Sequence, residues 1–259
     1  MTILNMVLPE AQQWWNWDIS KATTPTTFNL SSPIQYGYSI QFSPDGTKFY
    51  IAWYKWVGTW IIQQYSCSTA WDITTASNTY NIDFGTANNS FWNYPVMLLA
   101  NEWQYLYFQD NPYSSQNLRL YSLATAWDIN SNKTQIASYS WMYHPMRISD
   151  DGKAYIWNNE SDFYYSTNST AWSINTTWTN IASGSRWWAK FSSDGNYLYI
   201  LISNRQITKY LLDTPRDPTS KTQVQQVTLP SWWDGLYFDD EWNNLYTVHW
   251  TTVYQYSLL

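Results

Sequence analysis

The sequence predicts an all-β fold, a five-bladed β-propeller of four-stranded antiparallel blades, and three observations carry that expectation. A Tyr recurs at one column, at Tyr50, Tyr107, Tyr155, Tyr199 and Tyr246, in steps of 57, 48, 44 and 47 residues. A period of about 40–50 residues filled with several short strands is propeller spacing. A second motif, Ala-Trp-Asp-Ile at its fullest, follows the first four Tyr residues at a distance and appears once more near the N-terminus. No helical periodicity competes with the alternating, turn-punctuated pattern.

Within each unit the elements follow in order. A short apolar strand comes first: Ile40 and Phe42, Met97 and Leu99, Met146 and Ile148, Ala189 and Phe191, Leu236 and Phe238. It runs into a hairpin whose Asp-Gly pairs (Asp45-Gly46, Asp151-Gly152, Asp194-Gly195) supply a glycine for positive φ. The second and fifth units carry Asn101-Glu102-Trp103 and Asp240-Glu241-Trp242 there, so those turns are expected to differ. An aromatic second strand ends near the recurrent Tyr, and a third holds Tyr65, Tyr121, Tyr165, Tyr210 or Tyr256. The fourth strand is expected to begin at Trp71-Asp72, Trp127-Asp128, Trp172-Ser173 and, in degenerate form, Arg216-Asp217.

The fifth unit lacks that fourth strand, while Trp17-Asp18-Ile19-Ser20 repeats the motif at the other end of the chain. Circular closure explains both: the N-terminal strand completes the last blade and leaves no edge at the seam. The expected single domain, 1–259, then divides into an outer strand of blade five at 12–28, blades one to four at about 35–85, 86–138, 139–182 and 183–228, and the three inner strands of blade five at 229–259. The strings Ser43-Pro44-Asp45-Gly46-Thr47-Lys48-Phe49-Tyr50 and Ser68-Thr69-Ala70-Trp71-Asp72-Ile73 resemble propeller repeats of bacteriophage tail and other virion-surface proteins, and of some bacterial surface proteins. The resemblance runs from about Trp14 to Leu259. It implies a virion-surface or extracellular location and other virion proteins as partners, and the heavy Trp load departs from it.

Composition narrows the function classes. Aromatic residues make up 20% of the chain and charged residues 12%, about half the usual share. The 13 basic and 19 acidic residues leave a net charge of −6 with no basic cluster. Nucleic acid and anionic membrane surfaces are therefore poor partners, and no apolar run is long enough for a membrane-spanning helix. The single Cys67 forms no intrachain disulfide or thiolate zinc cluster. The N-terminus has no basic start followed by a long apolar run, so no signal peptide is recognised.

The candidate site is a set of aromatic links. In a four-stranded meander the loop between strands two and three shares a face with the link to the next blade. The links carry Tyr36 and Tyr38, Trp92 and Tyr94, Trp141 and Tyr143, Trp187 and Trp188, and Trp232 and Trp233, with Arg186 and Asp234 as polar anchors. Trp53, Tyr54, Trp56 and Trp60 are expected to open on that face too. Rings with a polar tip suit half-apolar, half-wet ligands such as sugars. The competing reading packs alternate rings between blades; one member of each Trp pair is expected to do so.

The Trp of the repeated motif (Trp17, Trp71, Trp127, Trp172) is read as a packing residue, and the Asp or Ser after it as a turn acceptor. Asp45, Asp151 and Asp194 are read as hairpin-fixing residues, with calcium the weaker alternative. Catalysis has little support: a glycosidase needs two carboxylates about 5–9.5 Å apart, and the inner strands carry none before their hairpins. His144 and His249 have no triad or metal spacing around them. No cofactor, metal or catalytic residue is assigned. The expectation is a non-enzymatic module that binds a glycan or surface polysaccharide, or else a structural subunit using the same aromatics for protein contacts.

Overall fold

A computed structural model describes residues 19–22, 24–30, 36–55, 59–86, 96–100, 104–110, 117–126, 128–139, 147–149, 152–158, 162–168, 178–183, 186–192, 194–202, 206–229, 235–239 and 243–258. Strand β1 (Thr26–Asn29) opens the order. Blade one is β2 (Tyr36–Phe42), β3 (Lys48–Lys55), β4 (Thr59–Cys67) and β5 (Ala76–Thr86). Blade two is β6 (Val96–Ala100), β7 (Tyr105–Asp110), β8 (Asn117–Leu123) and β9 (Lys133–Tyr139). Blade three is β10 (Arg147–Ile148), β11 (Ala154–Asn158), β12 (Asp162–Thr167) and β13 (Thr179–Ser183). Blade four is β14 (Arg186–Phe191), β15 (Tyr197–Ile202), β16 (Gln206–Thr214) and β17 (Asp217–Thr228). Blade five is β18 (Gly235–Phe238), β19 (Asn244–His249) and β20 (Thr252–Ser257), completed by β1 in the order β1-β20-β19-β18. This is the five-bladed propeller, closed by the N-terminal strand: Thr27 lies opposite Tyr254 and Phe28 opposite Val253.

Each junction between blades holds its own apolar cluster. Tyr50, Ala52 and Ile62 of blade one meet Met97, Leu106 and Phe108 of blade two. Tyr107, Leu118 and Leu120 meet Tyr155 of blade three, and Ile156 and Phe163 meet Ala189, Phe191 and Leu198 of blade four. Tyr199 and Leu201 meet Leu236, Phe238 and Tyr256 of blade five together with Ile19 and Ala22 ahead of β1. Tyr246, Val248 and Val253 close the circle on Phe42, Phe49 and Ile51. A blade is covered on both faces, which explains why Phe49 through Trp53 are all buried although they alternate in direction.

The recurrent Tyr column lies wholly in this core. At two of the five positions, Tyr155 and Tyr246, the hydroxyl gives a reason for Tyr rather than Phe. Tyr155 Oη donates to the Gly152 carbonyl at 2.6 Å, and Tyr246 Oη crosses to the Trp71 carbonyl of blade one at 2.7 Å. A buried hydroxyl left without such a bond costs more than the bond itself gains.

The expected starts of the outer strands are corrected here. The fourth strand of blade one does not begin at Trp71-Asp72, and that of blade two begins at Lys133 rather than at its motif. Among the described residues, the outer strand expected over 12–28 is a 3-10 turn at Ile19–Lys21 followed by β1 from Thr26. Trp71 sits in a turn at φ 65°, Asp72 caps a short 3-10 turn (Ile73–Thr75), and β5 starts at Ala76. The Asp72 carboxylate accepts from Thr74 N at 2.9 Å, and Asp128 and Asp217 accept from Asn130 N and Thr219 N at 2.9 and 3.0 Å. An Asp that bonds the backbone two residues on favours a turn over a strand, as at Asp72 and Asp128, whereas at Asp217 the same bond stands at the first residue of β17.

Candidate functional site

The two ends of the propeller have different chemistry. At the hairpin end, Ser43 N donates to the Lys48 carbonyl and Gly46 N to the Ser43 carbonyl. The Ser43 hydroxyl accepts from Lys48 N at 2.9 Å and donates to Asp45 at 2.6 Å, while Thr47 N donates to Asp45 at 3.0 Å. Ser192 and Asp194 repeat the arrangement: Tyr197 N and Asn196 N donate to them at 2.9 and 3.0 Å. Asp45 and Asp194 thus fix hairpins, as their sequence context predicts; Asp151 lies outside the described residues. Burial pushes the Asp45 carboxyl up, but its bonds from Ser43 and Thr47 outweigh that and leave it below the usual range.

The repeated motif locks onto these hairpins. Trp71 N donates to the Gly46 carbonyl at 3.0 Å, and Arg216 N donates to the Gly195 carbonyl at 2.8 Å, with Arg216 at φ 62°. Trp71 and Arg216 are therefore the same structural position, despite unrelated side chains. Trp71 stacks on Phe42 with ring centroids 5.4 Å apart, so its packing role holds at a turn rather than on a strand. Trp17, Trp127 and Trp172 lie outside the described residues.

Blade five replaces the anchoring Ser with Asp239, a residue the sequence reading passed over. Asn243 N and Asn244 Nδ2 each donate to Asp239 at 2.8 Å. Burial pushes its carboxyl above the usual range, against those bonds and the nearby Lys190 ammonium. The signal available in the sequence was Asp239 standing in the Ser43, Ser149 and Ser192 column.

At the opposite end the inner strands β2, β6, β10, β14 and β18 begin. Trp188 is 2% exposed, packed between blades four and five at 6.2 Å from Phe238, beside a bulge between Arg186 and Trp188. It is the packed member of its pair and is removed as a ligand-contacting residue. Trp53 is corrected likewise: it is fully buried in the seam between blades five and one, not open on the face. Tyr38 is half-buried near the start of β2. Tyr36, Arg186 and Trp187 lie on strands, but their side chains are outside the described residues, as are Trp92, Tyr94, Trp141, Tyr143, Trp232, Trp233 and Asp234 altogether.

A residue that sequence reasoning missed stands at this end. Trp250, in the turn between β19 and β20, is 58% exposed and sits at φ 52°. His249 pairs with Thr252 across the turn, so Trp250 is the first of its two central residues. Positive φ at that position normally calls for Gly; a bulky L residue costs about 1–2 kcal/mol. The turn is held from both sides by the passing link, because Leu30 N donates to the Thr251 carbonyl and Gly37 N to the Trp250 carbonyl, both at 2.7 Å. Gly37 is required there: a Cβ would stand 2.7 Å from Val248 and 3.1 Å from the Trp250 carbonyl. The imidazole of His249 stacks on the Trp250 indole at 5.0 Å and 23°. The signal was His249-Trp250-Thr251-Thr252, a two-residue turn with Trp where Gly or Asn is expected.

Among the described residues, no group of three or more His, Cys, Asp or Glu side chains could hold a metal ion. No helix among them is long and apolar enough to cross a membrane.

No protein-family model and no curated protein matches the chain. Solved structures do. The chain is similar to a protein from Bacteroides uniformis named "putative 6-phosphogluconolactonase", at 11% identity and a TM-score of 0.51, over 84% of this chain and 79% of that one. It is also similar to the Cps50 (Swd1) β-propeller domain of Myceliophteria thermophila, at 10% identity and a TM-score of 0.50, over 90% and 99% of the two chains. At such identities the likeness is one of fold.

Proposed function

We propose that this propeller is a non-enzymatic binding module, displayed on a virion or cell surface, that recognises glycans through the end where the aromatic links enter. The observation that carries the reading is Trp250: a tryptophan 58% in solvent, held in a strained turn at that end. Strain and exposure together cost stability, and such costs cluster at working sites. The aromatic links and the resemblance to virion-surface repeats point the same way.

Several weak sites on one face suit a polymeric ligand. A single sugar held at the millimolar level contributes about −4 kcal/mol. Simultaneous engagement of a clustered glycan raises binding by roughly 10²–10⁴ without new contacts. The experiment is a glycan array at moderate salt, with size-exclusion chromatography of the same preparation. Binding by a monomer supports the module. Tight self-association with no glycan bound moves the assignment to a structural subunit of a larger assembly, and turnover of an arrayed glycan refutes the non-enzymatic assignment.

A further inference from the structure

We propose that the Trp250–Thr251 turn is an anchoring subsite for one uncharged pyranose ring, with the indole taking the C–H face of the sugar and Asn29, Thr251 and Thr252 taking its hydroxyls. The inference rests on the glycan-binding reading above and gives it a place, a ligand class and a stoichiometry.

Three features converge on the turn. Its first residue occupies a backbone conformation suited to Gly yet carries the largest side chain. Its two carbonyls are tied to Gly37 and Leu30, so the platform is held before any ligand arrives; preorganisation of this kind lowers the entropic cost of binding. Its rim is polar: Thr251 and Asn29 are exposed, and the Thr252 hydroxyl donates to the Asn29 side-chain carbonyl at 3.3 Å.

The chemistry of that rim selects the ligand. Asn29, Leu30, Gly37, Tyr38 and the turn residues His249 to Thr252 include no carboxylate, ammonium or guanidinium group. Apart from the His249 imidazole, a sialylated or sulfated sugar would find no charge partner among these described residues, whereas amide and hydroxyl groups match the hydroxyls of a neutral hexose. A two-residue turn occurs once among the five matching connections. The matching connections in blades one to four, between β3 and β4, β7 and β8, β11 and β12, and β15 and β16, are three, six, three and three residues long against two here.

The test is calorimetric titration of the wild type, Trp250→Gly and Trp250→Phe with the neutral glycan ranked highest on the array, and with a sialylated counterpart. The turn is the anchor among the weaker aromatic sites of that end, so one dominant site per chain is expected. Trp250→Gly should weaken binding about tenfold or more, equivalent to about 1.4 kcal/mol, with a melting temperature unchanged or raised, and Trp250→Phe should fall between. Glycan binding that survives Trp250→Gly overturns this subsite while leaving the broader reading in place. Tighter binding of the sialylated ligand overturns the neutral class. A lower melting temperature for Trp250→Gly makes the indole structural, and absence of any binding by the wild type refutes both proposals.

Discussion

Replacing Gly46 by Ala tests the lock between hairpin and motif. At φ +67° an added Cβ would stand 2.4 Å from Trp71 Cδ2 and Cε2, whereas ordinary contact begins at 3.4 Å, so the ring must retreat by about 1 Å. The left-handed conformation costs a non-glycine residue about 1–2 kcal/mol. Displacing Trp71 weakens its stack on Phe42, about 0.5–1.5 kcal/mol. It also strains the bonds Trp71 N–Gly46 O and Tyr246 Oη–Trp71 O, about 1 kcal/mol each if lost. The total with both bonds lost is about 3.5–5.5 kcal/mol, which at about 2–4 °C per kcal/mol lowers the melting temperature by about 7–22 °C. Gly195→Ala meets Arg216 Cγ at the same 2.4 Å and Arg216 N at 3.2 Å, but the arginine chain rotates away and the backbone need give by only a few tenths of an ångström. There the cost should stay near the conformational part, about 1–2 kcal/mol. Calorimetric melting of both variants, and of Gly46→Ala in a Trp71→Ala background, gives the answer. The reasoning fails if Gly46→Ala costs no more than Gly195→Ala, or if its cost is the same with and without the Trp71 ring.

Other outcomes follow from the same geometry. Deleting residues 1–30 removes Ile19, Ala22 and Leu30 from the core and bares the edge of β20; at about 1.5–3 kcal/mol for each large side chain, unfolding or strand-swapped oligomers are expected, and a monomer with an unchanged melting temperature would contradict the closure. Burial of Asp239 holds its carboxyl above the ordinary 3.8, so the folded state binds the proton more tightly than the unfolded chain. The contribution of this group to stability therefore falls as pH rises from about that value through the raised folded one. Denaturant midpoints of Asp239→Asn should lack that decline, and parallel pH profiles for the two proteins would refute it. Burial, with Asp72 nearby, pushes the Cys67 thiol up to about 11. A disulfide reagent at pH 8 should leave it unmodified until denaturant is added; rapid reaction of the native protein would place the thiol at the surface.

The fold was legible because its determinants are repeated and local. Tyr50, Tyr107, Tyr155, Tyr199 and Tyr246 recur because each blade buries a large aromatic side chain in the same gap, and the sequence carries that need five times over. The turn at Trp71 was harder to read. Trp is a strand former by propensity, and only the Asp72-Ile73-Thr74 spacing betrays the side-chain bond that diverts the backbone. The equivalence of Arg216 with Trp71 depends on a backbone bond to glycine that leaves no mark on side-chain identity. Trp188 and Trp53 misled as site candidates because an aromatic near a strand end reads alike whether it faces a neighbouring blade or solvent. Trp250 escaped notice for the opposite reason: it belongs to no repeat.

Closure by β1 also sets a clock. Phe28 finds its partner Val253 only after some 225 further residues have been made, which at about 5–20 residues per second takes roughly 11–45 s. Through that interval the N-terminal segment holds Ile19, Phe28 and Leu30 without the blade they serve. Blades one to four can form in order as they leave the ribosome, while the fifth waits for both parts of its sheet. Crowded synthesis therefore favours exchange of first strands between neighbouring nascent chains, and dilution or slow expression favours the closed monomer.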